Sequence, residues 1–188
     1  MKFATVNDYL EAYKDDPYNH GILPIPLIAE YLDRSAPAVT AMLKAGSLNE
    51  ITIGKNRFVQ TASVLEKDDA EAKDVAAVRQ YLMNMIAKGE TATFYEPIME
   101  RIGLVTTTPA HRTKIGAILD RISKDSHDEE GVVLSVLVHR KTAGKTRPGP
   151  GFWGMVQAEG LFDPETQDKD DFVREHTKLV FKKYAGRK

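Results

Sequence analysis

Residues 22–65 constrain the fold more than any other part of the sequence, because they combine two short helical patterns, a tight break and a glycine-tipped hairpin pattern. The first pattern places Ile28 and Leu32 one turn apart and predicts a helix that begins near Pro26, where the missing N–H of proline costs little. Ser35 follows the break as a predicted N-cap, because its hydroxyl can accept a hydrogen bond from the first turn of a second helix. The stretch therefore predicts two helices joined by a tight turn.

The second helix is predicted to lead into a small hairpin. Its buried face is predicted to be an apolar stripe of Val39, Met42 and Leu43. Gly46 is expected to end this helix as a C-cap. Residues 48–53 then alternate as a strand, and residues 54–57, here termed the wing, turn the chain back into a second strand at Phe58 and Val59.

The segment AEYLDRSAPAVTAMLKAGSLNEITIGKNRFVQTASVL resembles the DNA-binding domain of excisionases and MerR-like regulators. The shared pattern is a helix carrying A-x-x-L, a second helix ending in G-x-L, and a hairpin carrying I-G-x-x-R. The resemblance covers about a quarter of the chain. It implies a winged helix-turn-helix, whose second helix meets a DNA groove and whose wing meets the adjacent backbone. The residues that it directs toward DNA are Thr40, Lys44, Lys55, Asn56 and Arg57.

The reading surface of this first module is poor in charge. Its basic side chains are Arg34, Lys44, Lys55 and Arg57, and its acidic side chains are Glu30, Asp33 and Glu50. Phosphate contacts come mainly from lysine and arginine, so the module alone is expected to bind DNA weakly. Small winged folds also serve as docking modules for proteins, and that alternative stays open.

Composition excludes several classes of function. The chain has 188 residues and a formal net charge of −1, so any attraction to nucleic acid must be local. Because there is no cysteine, disulfides, thiolate metal sites and thiol nucleophiles are excluded. The apolar runs are shorter than the roughly 20 residues that span a bilayer, and the first residues lack the apolar core of a signal peptide. We expect a cytoplasmic protein with no membrane partner.

A polar run, EKDDAEAKD, separates the first module from the rest of the chain. It contains good helix formers, and the apolar residues after it keep a helical period up to Gly89. We therefore expect a first domain at residues 1–66, a connecting helix at 67–88 and a second domain at 89–188.

The second domain repeats the order of helix, loop and helix. The second of these helices is predicted from Ile115, Ile118, Leu119 and Ile122. The aliphatic run VVLSVLV at residues 132–138 predicts a buried strand that delivers His139, Arg140 and Lys141 at its end.

Residues 89–153 resemble the active-site domain of O6-alkylguanine-DNA alkyltransferases and the alkyltransferase-like proteins. Tyr95 and Gly103 have the family spacing, Arg112 and Gly116 lie on the counterpart of the recognition helix, and His139-Arg140 follow a predicted strand. The resemblance implies DNA contacts by Tyr95 and Arg112. Val138 stands where the family has its alkyl-accepting cysteine, so alkyl transfer is excluded.

A basic segment from Val136 to Trp153 carries no acidic residue. Its cations are Arg140, Lys141, Lys145 and Arg147. Four cations on a glycine-rich loop can neutralise several phosphates, although a merely solvated surface is the alternative. The GKT at residues 144–146 lacks the first glycine of a nucleotide-binding loop, which would stand five residues before Gly144, where the chain has His139, so ATP or GTP binding is not expected. Phe152 and Trp153 are expected in the core.

The acid-rich run DPETQDKDD is predicted to be a loop that caps a final helix at residues 172–184. The residues expected to dock this helix are Phe172, Val173, Leu179 and Val180. The carboxylates lack the spacing of a calcium loop, and the five histidines form no zinc motif, so no metal and no cofactor are expected.

Together these patterns predict an α+β protein with two small winged-helix-like modules joined by a helix. The predicted function is non-enzymatic binding of double-stranded DNA, as a regulator or as an accessory factor of recombination or a mobile element. The second module is expected to bind through Tyr95, Arg112, Arg140, Lys141, Lys145 and Arg147. The alternative is a protein-binding adaptor or immunity-type factor, with a protein partner or a second copy of the chain. A hydrolase would need an acid/base pair, and His139 beside Arg140 has no obvious carboxylate partner.

Overall fold

The structure, a computed structural model, describes residues 2–142 and 145–184, apart from the side chains of Thr142 and Lys145. The described residues form mainly helices together with two small three-stranded sheets, which confirms the α+β class. The chain divides into two compact units, Met1–Ala72 (unit 1) and Lys73–Lys188 (unit 2).

Unit 1 contains a helix–turn–helix followed by a hairpin. Its elements are α1 (Val6–Asp15), β1 (Ile22–Pro24), α2 (Ile25–Tyr31), α3 (Ala36–Lys44), β2 (Glu50–Ile53), β3 (Asn56–Gln60) and the first part of α4 (Thr61–Ala87). The strands form an antiparallel sheet in the order β1-β3-β2. The central strand β3 therefore joins the hairpin to the strand that precedes α2.

The turn between α2 and α3 follows the predicted chemistry. The Ala38 amide donates to the Ser35 hydroxyl at 3.3 Å, which confirms Ser35 as the N-cap of α3. The helix ends one residue earlier than predicted, with Ala45 as the C-cap. Gly46 follows it at φ +71°, a left-handed conformation that favours glycine, and the Ser47 amide donates to the Met42 carbonyl at 3.0 Å.

Two elements of unit 1 lie outside the sequence prediction. Helix α1 starts with a capping box, in which Thr5 and Asp8 bond each other's backbone amides. The Tyr9 hydroxyl donates to the Ile22 carbonyl at 2.9 Å and so ties α1 to β1. The core of unit 1 consists of Leu10, Leu23, Ile28, Ala29, Val39, Leu43, Leu48, Val59 and Val64.

Unit 2 surrounds a second small sheet with helices. Its elements are the end of α4, β4 (Thr93–Phe94), α5 (Tyr95–Arg101), α6 (Pro109–Glu130), a 3₁₀ helix (Leu134–Leu137), β5 (Val138–Thr142), β6 (Lys145–Pro148), α7 (Pro150–Ala158) and α8 (Lys169–Tyr184). The strand order is β4-β5-β6; β4 runs parallel to β5, and β6 is antiparallel to it. The final helix thus begins three residues before its predicted start.

The strand predicted at residues 132–138 is wrong. Leu134–Leu137 form a 3₁₀ helix, and the strand begins only at Val138. The Leu134 amide donates to the Ser126 hydroxyl at 3.2 Å, and the Ser123 hydroxyl bonds that of Ser135, so α6 satisfies polar groups of this buried segment. An apolar run has the same appearance in the sequence whether it is a buried strand or a buried helical turn.

Helix α4 contributes to the cores of both units instead of only connecting them. Val64 lies in the core of unit 1. The second half of α4 buries Val78, Leu82, Met85 and Ile86 in the core of unit 2.

Aromatic side chains complete the core of unit 2. Phe152 and Trp153 are buried as predicted, beside Phe162 and Phe172. Leu179, which was predicted to dock α8, is instead 44% exposed. Within the described residues, no helix combines the length and the apolarity that a bilayer crossing needs.

Candidate nucleic-acid interface

Helix α3 and the wing present the predicted residues of unit 1. Lys44 is exposed in the last turn of α3, and Thr40 is half-buried one turn earlier. Gly54 turns the hairpin at φ +62°, and Lys55 and Asn56 are exposed at its tip. These four side chains are thus distributed over the helix and the hairpin that follows it.

Arg57 is engaged by an acidic neighbour on the paired strand. Its Nε lies 2.5 Å from Oε1 of Glu50, and its Nη2 lies 2.6 Å from Oε2. This two-point contact lowers the pKa of the Glu50 carboxyl and raises the pKa of Arg57. The fork that would bind a phosphate is therefore already occupied by a carboxylate.

The hairpin of β5 and β6 sorts the basic segment of unit 2 onto two faces. Arg140 lies directly opposite Arg147, so both side chains project from the same face of the sheet. Lys141 follows Arg140 and projects from the other face, where its Nζ lies 4.9 Å from the centroid of the Phe94 ring. These residues lie on strands, so the prediction of one glycine-rich loop is wrong. The side chain of Lys145 lies outside the described residues.

Arg140 and Arg147 line a cavity of about 610 Å³, here termed the cationic pocket. Its other lining residues are Pro148, Pro150, Trp153, Gly154, Gln157 and Lys169. The Lys169 ammonium lies 5.0 Å from the centroid of the Trp153 ring, and the indole N–H donates to the Pro148 carbonyl at 3.2 Å. The sheet, the start of α7 and the start of α8 thus each supply part of this pocket.

The two arginines of the cationic pocket differ in their partners. A guanidinium nitrogen of Arg147 forms a very close ion pair with Asp170, in the first turn of α8. Arg140 forms no ion pair with a carboxylate in the described part of the chain. Arg140 therefore keeps its donors available for another anion.

An adjoining cavity of about 390 Å³ lies on the other side of Arg140 and is here termed the Tyr95 pocket. Its lining residues are Tyr95, Met99, Thr106, Arg112, Ile115, Arg140, Gly149 and Pro150. Arg112 donates to the Thr106 carbonyl at 2.8 Å, which fixes its guanidinium against the loop before α6. Since Arg140 and Pro150 line both cavities, the two pockets are neighbours in unit 2.

The Tyr95 phenol is the most enclosed polar group of the second cavity. Burial raises the pKa of Tyr95, a hydrogen bond from the Gly149 backbone lowers it, and the charges of Asp120 and Arg140 act in opposite directions. Burial also raises the pKa of the half-buried Asp120 carboxyl on α6. Asp120 was not singled out in the sequence, because one aspartate on a helix carries no pattern.

His139 lies apart from both pockets. Its Nε2 is 3.1 Å from the Val136 carbonyl, and burial lowers the pKa of the imidazole. Alternation along β5 directs this ring to the face opposite that of Arg140. Within the described residues, no group of three or more histidine, aspartate or glutamate side chains could hold a metal ion.

The predicted residues Tyr95, Arg112, Arg140 and Arg147 therefore line two neighbouring cavities, and Lys141 lines neither of them. Sequence reasoning missed Lys169 and Gln157, which come from helices far along the chain. Only the position of Lys169 beside a helix-capping acidic run gave a signal for it.

No family model matches the sequence, and the searches of curated proteins and of solved structures found no match either.

Proposed function

We propose that the protein binds double-stranded DNA without chemistry, as a regulator or as an accessory factor of recombination or a mobile element. The observation that carries the proposal is the convergence of four cations on two neighbouring pockets of unit 2: Arg112, Arg140, Arg147 and Lys169. In unit 1, the order of helix, turn, helix and hairpin supports a winged module that offers α3 and the wing to a duplex.

The distribution of charge makes unit 2 the stronger contributor. Unit 1 contains 11 acidic and 7 basic residues, whereas unit 2 contains 16 acidic and 19 basic residues. Phosphate attraction therefore comes mainly from unit 2, while unit 1 adds a second contact on the same chain. Two weak contacts on one chain combine through effective concentration.

A salt titration tests this proposal. Binding of a fluorescent duplex of mixed sequence is measured by anisotropy over a range of salt concentrations. Wild-type protein should lose affinity steeply with salt, and Arg140→Ala with Lys169→Ala should reduce the slope of log K against log salt by about two. Lys44→Ala with Lys55→Ala should reduce affinity less, because unit 1 contains more acidic than basic residues.

Lys178→Ala is the matched control for Lys169→Ala. It lies nine residues further along α8, which places it on the opposite side of the same helix. Its affinity should equal that of the wild type. Salt-independent binding, or equal losses in the control and in the pocket variants, would refute the proposed site.

The second candidate function is protein docking through the wing. Ile53 is 55% exposed beside the wing, and Glu50 neutralises Arg57 there, so this edge is more apolar and less cationic than a DNA-contacting wing needs. An adaptor would show no salt-sensitive DNA binding. It would instead retain a protein partner whose binding is lost in Ile53→Ser.

A further inference from the structure

We propose that the cationic pocket binds a phosphomonoester, the group found at the end of a phosphorylated nucleic-acid strand. For a strand end, this inference rests on the proposed function. It names the chemical group that the pocket distinguishes, which nucleic-acid binding alone does not.

The charge of the pocket matches a doubly charged anion. Arg140, Arg147 and Lys169 line it, and the carboxylate of Asp170 is paired with Arg147, so two positive charges remain among the described lining residues. An internal phosphodiester carries one negative charge, whereas a phosphomonoester carries about −1.5 to −2 at neutral pH. A strand end therefore fits the remaining charge better than the interior of a strand does.

The two arginines of the cationic pocket lie opposite each other, and in the described part of the chain only Arg147 is paired with a carboxylate. They face each other directly across β5 and β6, where like charges destabilise a sheet pair. Asp170 compensates one of them. The Nε of Arg147 is buried and has no hydrogen-bond acceptor within the described residues. An unused buried donor beside an uncompensated arginine is the arrangement that a multiply charged oxyanion can satisfy.

The start of α7 adds a further attraction for an anion. Its N-cap is Gly149, which has no side chain to bond the first amides, and Pro150 and Gly154 of its first turns line the pocket. At the start of α8, by contrast, the Asp168 carboxylate accepts from the amides of Asp170 and Asp171. The uncapped positive end of α7 therefore borders the same space as the cations.

Gly154 allows the pocket to be filled without changing its charge. A Cβ added at this residue would meet no atom within 4 Å, and its helical backbone tolerates larger residues. Gly154→Leu should place an apolar side chain in the pocket and leave Arg140, Arg147 and Lys169 in place. This variant separates occupation of the pocket from general electrostatic attraction.

The test uses two DNA hairpins that differ only in their single 5′ end, which carries a phosphate or a hydroxyl. Anisotropy with a loop-attached dye should show about tenfold tighter binding of the phosphorylated hairpin to the wild-type protein. Arg140→Ala, Lys169→Ala and Gly154→Leu should lose this preference. Lys141→Ala, which removes the neighbouring charge from the other face of β5, should keep it, as should Lys178→Ala. Circular dichroism confirms that each variant is folded.

Calorimetry with inorganic phosphate and a nucleoside 5′-monophosphate distinguishes the source of the group. One outcome is that the small anions bind to the wild type and not to the three pocket variants, while the wild type binds both hairpins equally. That result supports the pocket as a site for free nucleotides. Equal binding of both hairpins together with no small-anion binding overturns the pocket and leaves the proposed function intact. Loss of all DNA binding with pocket-dependent anion binding refutes the proposed function alone.

Discussion

At the scale of single residues, the most informative contact of unit 1 is the pairing of Arg57 with Glu50. The sequence places both residues in the predicted hairpin, and a DNA contact of Arg57 was an expectation from the resemblance to excisionases. Neither the sequence nor the resemblance shows that the side chains of Arg57 and Glu50 contact each other. The structure shows that the arginine is bound by both carboxylate oxygens.

Glu50→Gln should therefore increase DNA affinity by about two- to fivefold at low salt, because it releases Arg57 for a phosphate. The measurement is duplex anisotropy. Glu30→Gln removes an equal charge from α2, without an arginine partner in the described residues, and serves as the control. An equal gain in both variants would show that net charge, and not Arg57, is responsible.

Gly149 is required by the close approach of Tyr95. A Cβ on Gly149 would lie 2.8 Å from the Tyr95 hydroxyl oxygen, although its φ of −73° suits any residue. Gly149→Ala should therefore lower the free energy of unfolding by about 1–3 kcal/mol through overpacking. Urea denaturation measures the change.

Tyr95→Phe provides the internal check, because it removes the atom that the new methyl group would meet. The double variant should be more stable than the sum of the two single changes predicts. Additive losses would mean that the alanine acts through the backbone and not through the tyrosine.

At the scale of elements, local chemistry explains which predictions succeeded. Ser35 and Pro37 fix the start of α3 through a cap and a preset φ, and both signals are local in sequence. The segment 132–138 has no such signal, since every residue is buried and the choice between strand and helical turn depends on serines of α6. The capping box of Thr5 and Asp8 is likewise a signal that is local in sequence.

Ser126→Ala should lower the free energy of unfolding by about 1–3 kcal/mol, because it leaves the buried Leu134 amide without its acceptor. The paired change Ser123→Ala with Ser135→Ala removes both partners of one hydrogen bond and should cost less. Chemical denaturation compares the two. A larger loss in the paired variant would contradict this account of the 3₁₀ segment.

The candidate site shows the same division between local and distant information. Arg140 and Arg147 were predicted from a basic run. Arg140 and Lys141 project from opposite faces, however, because Val138–Thr142 form a strand. Lys169 joins the two arginines only because α8 returns to the sheet, and no local pattern encodes that return. The residues were thus identified individually, whereas the pocket follows from tertiary structure.

At the scale of the whole molecule, the fold class was predicted because amphipathic periods and turn residues extend over much of the chain. The role of α4 was less accessible. A connecting helix was expected at residues 67–88, whereas the observed helix spans Thr61–Ala87 and its apolar residues lie in two cores. Which face of a helix is covered depends on residues far away in the sequence.

Stability should depend on pH through two histidines of unit 2, of which His139 is buried and His176 is half-buried. Burial lowers the pKa of His139 and of His176, whose ring stacks on Phe172 at 4.0 Å. The unfolded chain binds protons near the ordinary histidine value, so the free energy of unfolding should fall as the pH drops from about 7 to about 5.

His176→Gln should reduce this pH dependence, because one of the two groups no longer titrates. Thermal unfolding at a series of pH values measures it, in comparison with the wild-type protein. An unchanged profile in His176→Gln would exclude this histidine as the source.

The ion pair between Arg147 and Asp170 has a consequence for selectivity. An anion that binds to Arg147 in the cationic pocket must compete with the Asp170 carboxylate, so singly charged anions such as chloride should bind weakly. Asp170→Asn would remove this competitor, and the pocket would then discriminate less between singly and doubly charged guests. The Asp170 carboxylate should therefore increase the selectivity of the pocket for doubly charged over singly charged anions.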